Sequence, residues 1–454
     1  MAGTFAHGTV CVSSIVKAPT STHLVLQSAA PRPSVRWGAV LLFAGSNTLN
    51  ALNFVFNLWM ARALGPHGYG VLVALTSLLV QLGLPAAPLP TLTSRFAALY
   101  AAAGDRARLR ALVLLLGRST GLVALAGGMA VVLAAAPLAD FLQLDAPHLV
   151  ALLGPGLVIV YLAPIARGVL QGAGRFGGLA ATMACEGALK LVLGVALVAA
   201  GAGPAGGVGG VLAGSLGGTL LGLWLLRDVL RLPEAAGAPP GGLHLGEPVR
   251  FGALAACATG GMASLLLLDI LLVKHYFDAP TAGLYAALTV AGKILFWVSS
   301  AVPGVLYAAL ARARASGGGP GGTDDAALLL PLLGGVGALS LVGLGGFALA
   351  PGLVVHLLFG QGYAGVEGYL VPFGLAMTCY ALSNVLVNYF LARAVPAVLG
   401  VLALALVTEA ALIAGFHGDL HQVVLAVLGA NVLLLAGLGV LALRTRGHGG
   451  DDGR

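Results

Sequence analysis

From Trp37 onward the chain is a succession of long apolar runs separated by short polar breaks. Runs near residues 37–61, 68–98, 111–136, 148–172, 177–200 and 206–230 are each long enough to cross a hydrocarbon layer of about 30 Å. A second series follows near 250–274, 281–311, 327–350, 365–392, 395–415 and 421–443. The runs are continuous, whereas membrane strands would alternate apolar and polar residues over segments of about ten. The pattern predicts an all-α polytopic membrane protein with twelve transmembrane helices.

The charges between the runs test that count, because Lys and Arg gather on the cytoplasmic side of short loops. Lys17, Arg32 and Arg36 precede the first span, and Arg95, Arg106, Arg108 and Arg110 lie at the 2–3 connection. Arg167 and Arg175 lie at the 4–5 connection, Arg227, Arg231 and Arg250 at 6–7, and Arg312 and Arg314 at 8–9. Arg393 falls at 10–11, and Arg444, Arg446 and Arg454 in the tail. All share one face, while the loops 137–147, 201–205, 351–364 and 416–420 contain neither Lys nor Arg. Both termini are therefore expected in the cytoplasm.

Composition sharpens the class. The 454 residues are 59% hydrophobic and only 9% charged, against about 25% charged in an average soluble domain. The net charge of +7 follows from loop topology, so anionic membrane lipids, not nucleic acid, are its expected counterpart. Cys11, Cys185, Cys257 and Cys379 show no CxxC spacing, and the histidines show no metal-ligand spacing. Neither a disulfide framework nor a metal site is expected. No nucleophile elbow, HExxH or P-loop occurs, and no loop between spans exceeds about twenty residues. An enzyme with catalytic loops outside the membrane is disfavoured.

Internal repetition divides the chain. VRWGAV (35–40) resembles VRFGAL (249–254), GVLVALT (70–76) resembles GLYAALT (283–289), and Pro90 pairs with Pro303, all in nearly constant register. Two pseudo-symmetric six-helix lobes follow: residues 35–230 and 250–445, joined by a cytoplasmic linker at 231–249. Residues 1–34 form a disordered cytoplasmic segment and 446–454 a tail. Parallel repeats of this kind are a transporter architecture, with one lobe rocking against the other around a central V-shaped cavity.

Candidate chemistry lies inside the spans. Asn47, Asn50, Asn53 and Asn57 fall within an arc of roughly 120° on the first helix. Either they tie that helix to neighbours at on the order of 0.6 kcal/mol each, or they line a wet cavity for a polar cargo. Tyr380, Asn384 and Asn388 repeat the pattern in the tenth span. Six charges also fall within spans: Arg118, Glu186, Lys190, Asp269, Lys293 and Glu409. Each would cost roughly 2.5–3.5 kcal/mol facing lipid at mid-membrane. Glu186 and Lys190, at i and i+4, could neutralise each other. Lys293 has no carboxylate on its own helix within three or four residues and is the leading candidate for an anionic group, with Lys190 and Arg118 behind it. Asp269 and Glu186 are candidates for a coupling Na⁺ or H⁺, and Asp269 could instead hold Lys293; no other cofactor is expected. Glu409 receives no role. Pro88, Pro90, Pro164 and Pro303 interrupt spans and are candidate hinges.

The segments ARALGPHGYGVLVALTSLLVQLGL (61–84), TSRFAALYAAAGDRARLRAL (93–112), ARGVLQGAGRFG (166–177), DILLVKHYFDAPTAGLYAALTVAGKI (269–294) and FGQGYAGVEGYLVPFGLAMTCYALSNVLVNYFLA (359–392) resemble the polysaccharide biosynthesis (oligosaccharide flippase) family. That family belongs to the multidrug/oligosaccharidyl-lipid/polysaccharide (MOP) exporter superfamily. The resemblance implies a bacterial inner-membrane flippase that moves a polyprenyl-pyrophosphate-linked oligosaccharide outward for surface polysaccharide assembly, alongside polymerase and glycosyltransferase machinery. Lys293, Lys190 and Arg118 are the positions that could hold the pyrophosphate. Two rivals stay open: a Na⁺- or H⁺-coupled multidrug antiporter, and a membrane enzyme acting on polyprenyl-linked sugars.

Overall fold

The computed structural model describes residues 33–231, 246–299 and 323–447. Almost all of these are helical, with no strand among them. Among the described residues, ten helical stretches are long and apolar enough to cross a membrane. Pro303, the last part of the eighth expected span, and most of the linker and of both terminal segments lie outside the described residues.

Helix α1 (Pro33–Gly83) covers the first expected span and most of the second. It is bent at Gly65, whose φ of 64° and ψ of 178° leave the helical region, and Pro66 follows at once. Only glycine adopts that backbone cheaply, and a proline that opens a new helical segment forfeits no hydrogen bond. The second span is itself broken. A 3₁₀ turn at Leu84–Ala86 carries Pro85, and α2 (Leu89–Ala102) then begins with Pro88 as N-cap and Pro90 in its first turn. These prolines sit where their missing N–H groups need no partner.

The N-terminal half continues with α3 (Arg106–Leu133), α4 (Ala135–Phe141), α5 (Pro147–Ala151), α6 (Leu153–Gly172), α7 (Phe176–Leu197), α8 (Gly203–Leu225) and α9 (Arg227–Leu230). Pro164 lies inside α6. The C-terminal half opens with α10 (Gly246–Leu265) and α11 (Leu268–Tyr276), so the seventh expected span is two helices rather than one. Then come α12 (Ala279–Ser299), α13 (Thr323–Leu349), α14 (Pro351–Leu358), a 3₁₀ segment (Gln361–Tyr369), α15 (Leu370–Ala392), α16 (Ala397–Gly415) and α17 (Leu420–Gly447).

Helices α1–α9 pack mainly on one another, as do α10–α17, and the two groups meet chiefly along α1 against α11 and α12. The meeting line is very close at Gly283, where a Cβ would lie 1.7 Å from the Pro66 carbonyl oxygen. Polar contacts pin the same end of the bundle. Tyr363 donates to the Ala61 carbonyl at 2.8 Å, Arg62 donates to the Leu357 carbonyl, and Gln143 donates to the His275 carbonyl at 2.7 Å. His275 stacks on Phe141 with ring centroids 4.1 Å apart. The halves are closed on each other at the end that carries the loops lacking Lys and Arg.

Candidate functional site

Two buried polar clusters stand out, one in each half. In the first, α7 delivers Lys190 to α1: its Nζ donates to Asn53 Oδ1 at 3.0 Å and lies 4.4 Å from the centre of the Phe56 ring. A turn along α1, Asn57 donates to the Asn53 backbone carbonyl at 2.8 Å and accepts from the Tyr69 hydroxyl at 3.2 Å. The described residues give Lys190 no carboxylate partner.

Glu186 does not neutralise Lys190, as their i, i+4 spacing allowed. It pairs with Arg167 of α6, and Ser215 of α8 donates to its other oxygen at 3.4 Å. Arg167 reaches Glu186 from the neighbouring helix α6, while Lys190 turns to Asn53 and Phe56 of α1. Arg167 lies within α6, more than a turn before the helix ends at Gly172. A half-open cavity of about 360 Å³ adjoins this pair, with Gln171, Glu186 and Ser215 in its lining and Pro90 and Pro164 in its wall.

In the second cluster, Tyr285 donates to Asp269 Oδ2 at 2.6 Å and the Ile270 backbone N–H donates to Asp269 Oδ1 at 2.8 Å. Lys293 and Glu409 both lie within electrostatic reach of Asp269. Lys293 therefore has a carboxylate neighbour on α11, which its own helix did not supply. Glu409 on α16 is fully buried, and neither carboxylate oxygen has a hydrogen-bond partner among the described residues.

The other expected positions are placed differently. Asn47 is exposed and donates to the Phe43 carbonyl of its own helix, and Asn50 is half-buried. Arg118 is exposed on α3, which a long guanidinium chain can tolerate by reaching toward the interface. Tyr380 donates to the Met262 carbonyl at 2.8 Å, and Asn388 bonds to the Asn384 carbonyl at 2.7 Å. These last contacts stay within the C-terminal half. Sequence reasoning missed the parts played by Arg167, Tyr69 and Tyr285, and it named Glu409 among the charges within spans but gave it no role. The signal for Glu409 was present, since an acid in an otherwise apolar run must be buried or compensated.

Outside the spans, Arg175 and Asp228 clamp the α6–α7 turn to α9, with Arg175 Nη1 2.9 Å from Asp228 Oδ1. The hydrogen bond from Arg175 holds the Asp228 carboxyl below the usual carboxylate range.

No family model matches the sequence, and no curated protein is similar to it. Solved structures do match. The inward-facing conformation of a multidrug resistance MATE family transporter of the MOP superfamily gives a TM-score of 0.69 at 16% identity, over 87% of this chain and 94% of that one. The lipid II flippase MurJ, in an inward closed conformation, gives 0.69 at 12% identity over 89% and 87%. A MATE family transporter of the same superfamily in its outward-facing conformation gives 0.54 at 16% identity over 91% and 95%. The chain therefore has the fold of MOP-superfamily transporters, and it is a multi-pass membrane protein. The structures it resembles are transporters and a flippase, not enzymes.

Proposed function

We propose that the chain is a flippase that carries a polyprenyl-pyrophosphate-linked oligosaccharide across a bacterial cytoplasmic membrane by alternating access. Both termini would then face the cytoplasm, and polysaccharide polymerases and glycosyltransferases would work beside it. The observation that carries this reading is Lys190: a half-buried ammonium within the bundle, held by the Asn53 amide and the Phe56 ring and given no carboxylate by the described residues. A partly buried cation without a counter-ion is costly, and an anionic headgroup supplies the missing charge. Closure of the halves at the end whose loops lack Lys and Arg, and a higher TM-score to the inward-facing MATE structure (0.69) than to the outward-facing one (0.54), fit a state open toward the cytoplasm.

A second reading, the cation-coupled multidrug antiporter, draws on Asp269 and Glu409, two buried carboxylates against the single Lys293. In either reading that pair is the better seat for a coupling Na⁺ or H⁺, because Glu186 is committed to Arg167. Proteoliposomes loaded with a fluorescent lipid-linked oligosaccharide separate the readings. The flippase reading expects wild-type protein to move the lipid and Lys190→Gln to lose most of that movement. Export of a cationic dye by both proteins, with the lipid left in place, would favour the antiporter.

A further inference from the structure

A second cavity lies in the N-terminal half, at the end that carries the arginine-rich turns, and shares no lining residue with the cavity beside Glu186. It holds about 220 Å³ between the α2–α3 turn, the α6–α7 turn and α9, with Tyr100, Arg106 and Arg175 as its polar members. The backbone accounts for their convergence. Gly104 and Gly174, at φ of 67° and 71°, reverse the chain after α2 and α6, and the arginines just beyond these two turns reach one cavity. Asp228 and the Leu225 carbonyl fix the Arg175 guanidinium. Arg106 is exposed, and its guanidinium has no partner among the described residues. Nor has the Tyr100 hydroxyl, although Tyr100 is only 8% exposed.

The surrounding charge is one-sided. Segments 100–110, 173–175 and 226–231 carry six arginines against two aspartates, and both aspartates are engaged, Asp105 by Arg108 and Asp228 by Arg175. An anion therefore gains from entering. Depth selects which anion. Trp224, two residues before the cavity's Leu226, is exposed and carries Arg227 stacked 4.1 Å over its ring, and exposed tryptophan belongs to the headgroup level of a bilayer. Leu220 and Leu223 are exposed too, so hydrocarbon covers α8 up to that level. Basic pockets between spans at this depth take lipid phosphates. A cavity of about 220 Å³ suits one phosphate with its glycerol, whereas sites for whole small molecules run to roughly 300–1,000 Å³. We propose that this cavity holds the phosphate headgroup of an anionic membrane phospholipid, which ties the α2–α3 and α6–α7 turns to α9. The site uses neither Lys190 nor its partners and stands or falls apart from the flippase reading.

Native mass spectrometry of the delipidated full-length protein tests it with phosphatidylglycerol, zwitterionic phosphatidylethanolamine and inorganic phosphate. One arginine beside an anionic lipid changes binding by about fivefold. Wild-type protein is expected to hold phosphatidylglycerol on the order of fivefold more tightly than phosphatidylethanolamine. Arg106→Gln, at an exposed position, should abolish that preference at an unchanged melting temperature. Arg393→Gln, which removes a charge from an arginine-bearing turn of the other half, should keep it. Equal binding of the two lipids by the wild type, a preference that survives Arg106→Gln, or equal losses in the two variants overturns the proposal. Displacement of phosphatidylglycerol by millimolar phosphate assigns the cavity to a soluble anion and overturns the lipid.

Discussion

The pair between Arg167 and Glu186 can be broken from either side, and the structure sets the size of the effect. The two side chains are 23% and 20% exposed, and they link α6 to α7 within the membrane span. Arg167→Leu leaves Glu186 with only the long contact from Ser215, so a buried carboxylate loses its counter-charge. Such deletions cost about 3–5 kcal/mol, and the residual exposure places this one near about 3. Glu186→Leu strands the guanidinium at a similar cost. The double variant replaces both charges with apolar side chains in an apolar bundle and should come within about 1 kcal/mol of the wild type. The resulting coupling energy, well over about 2 kcal/mol, exceeds the maximum of about 1.7 found for ordinary hydrogen bonds between membrane helices. Unfolding of the four proteins in mixed micelles, monitored by circular dichroism, measures it. Additive single costs, with a coupling below about 0.6 kcal/mol, would refute the view that these charges hold each other in place.

Gly283→Ala places a methyl group where the Pro66 carbonyl oxygen stands, 1.7 Å away. The halves must separate there, at about 1–3 kcal/mol, and a thermal shift unchanged from wild type contradicts that packing. Tyr363→Phe removes the hydroxyl that serves the Ala61 carbonyl across the halves; a loss of about 1 kcal/mol is expected, and a gain in stability counts against the contact. The Arg175–Asp228 clamp makes a sign-definite pH prediction. Its carboxyl titrates lower in the folded protein than in the unfolded chain, so its contribution is complete above about pH 4 and fades as pH falls through the folded value. Melting temperatures below about pH 4 should therefore fall more steeply for wild type than for Asp228→Asn, and parallel curves would exclude the clamp.

The spans were legible because nothing but burial in lipid or protein accounts for runs of this length. Breaks were legible only where their chemistry is local. The Gly65–Pro66 bend fell between two expected spans, and the prolines at 85–90 marked the interruption before α2. The break at Leu266–Leu267 between α10 and α11 has no Gly or Pro to announce it.

The site was harder to read, because helix faces can be computed from one sequence while helix partners cannot. Asn53 and Asn57 are separated by only about 40° around α1 and share the face toward α7 and Tyr69, whereas Asn47 lies about 120° from Asn53 and turns outward. Spacing along α7 offered Lys190 to Glu186, yet Arg167 arrives from the neighbouring helix and takes the carboxylate. For Lys293 the sequence left a pairing with Asp269 open, and the structure brings Asp269 within electrostatic reach of it from α11. On the proposed flippase reading, the leading cation for the cargo thus moves from Lys293 to Lys190.

The ammonium of Lys190 as the anchor for a pyrophosphate is tested most directly by comparing the affinity of the purified protein for polyprenyl pyrophosphate and for the uncharged polyprenol. Wild-type protein is expected to prefer the pyrophosphate, and Lys190→Gln, which keeps a donor for Asn53 but no charge, to lose at least tenfold, about 1.4 kcal/mol, of that preference. A Lys190→Gln protein that binds polyprenyl pyrophosphate within twofold of the wild type contradicts the account.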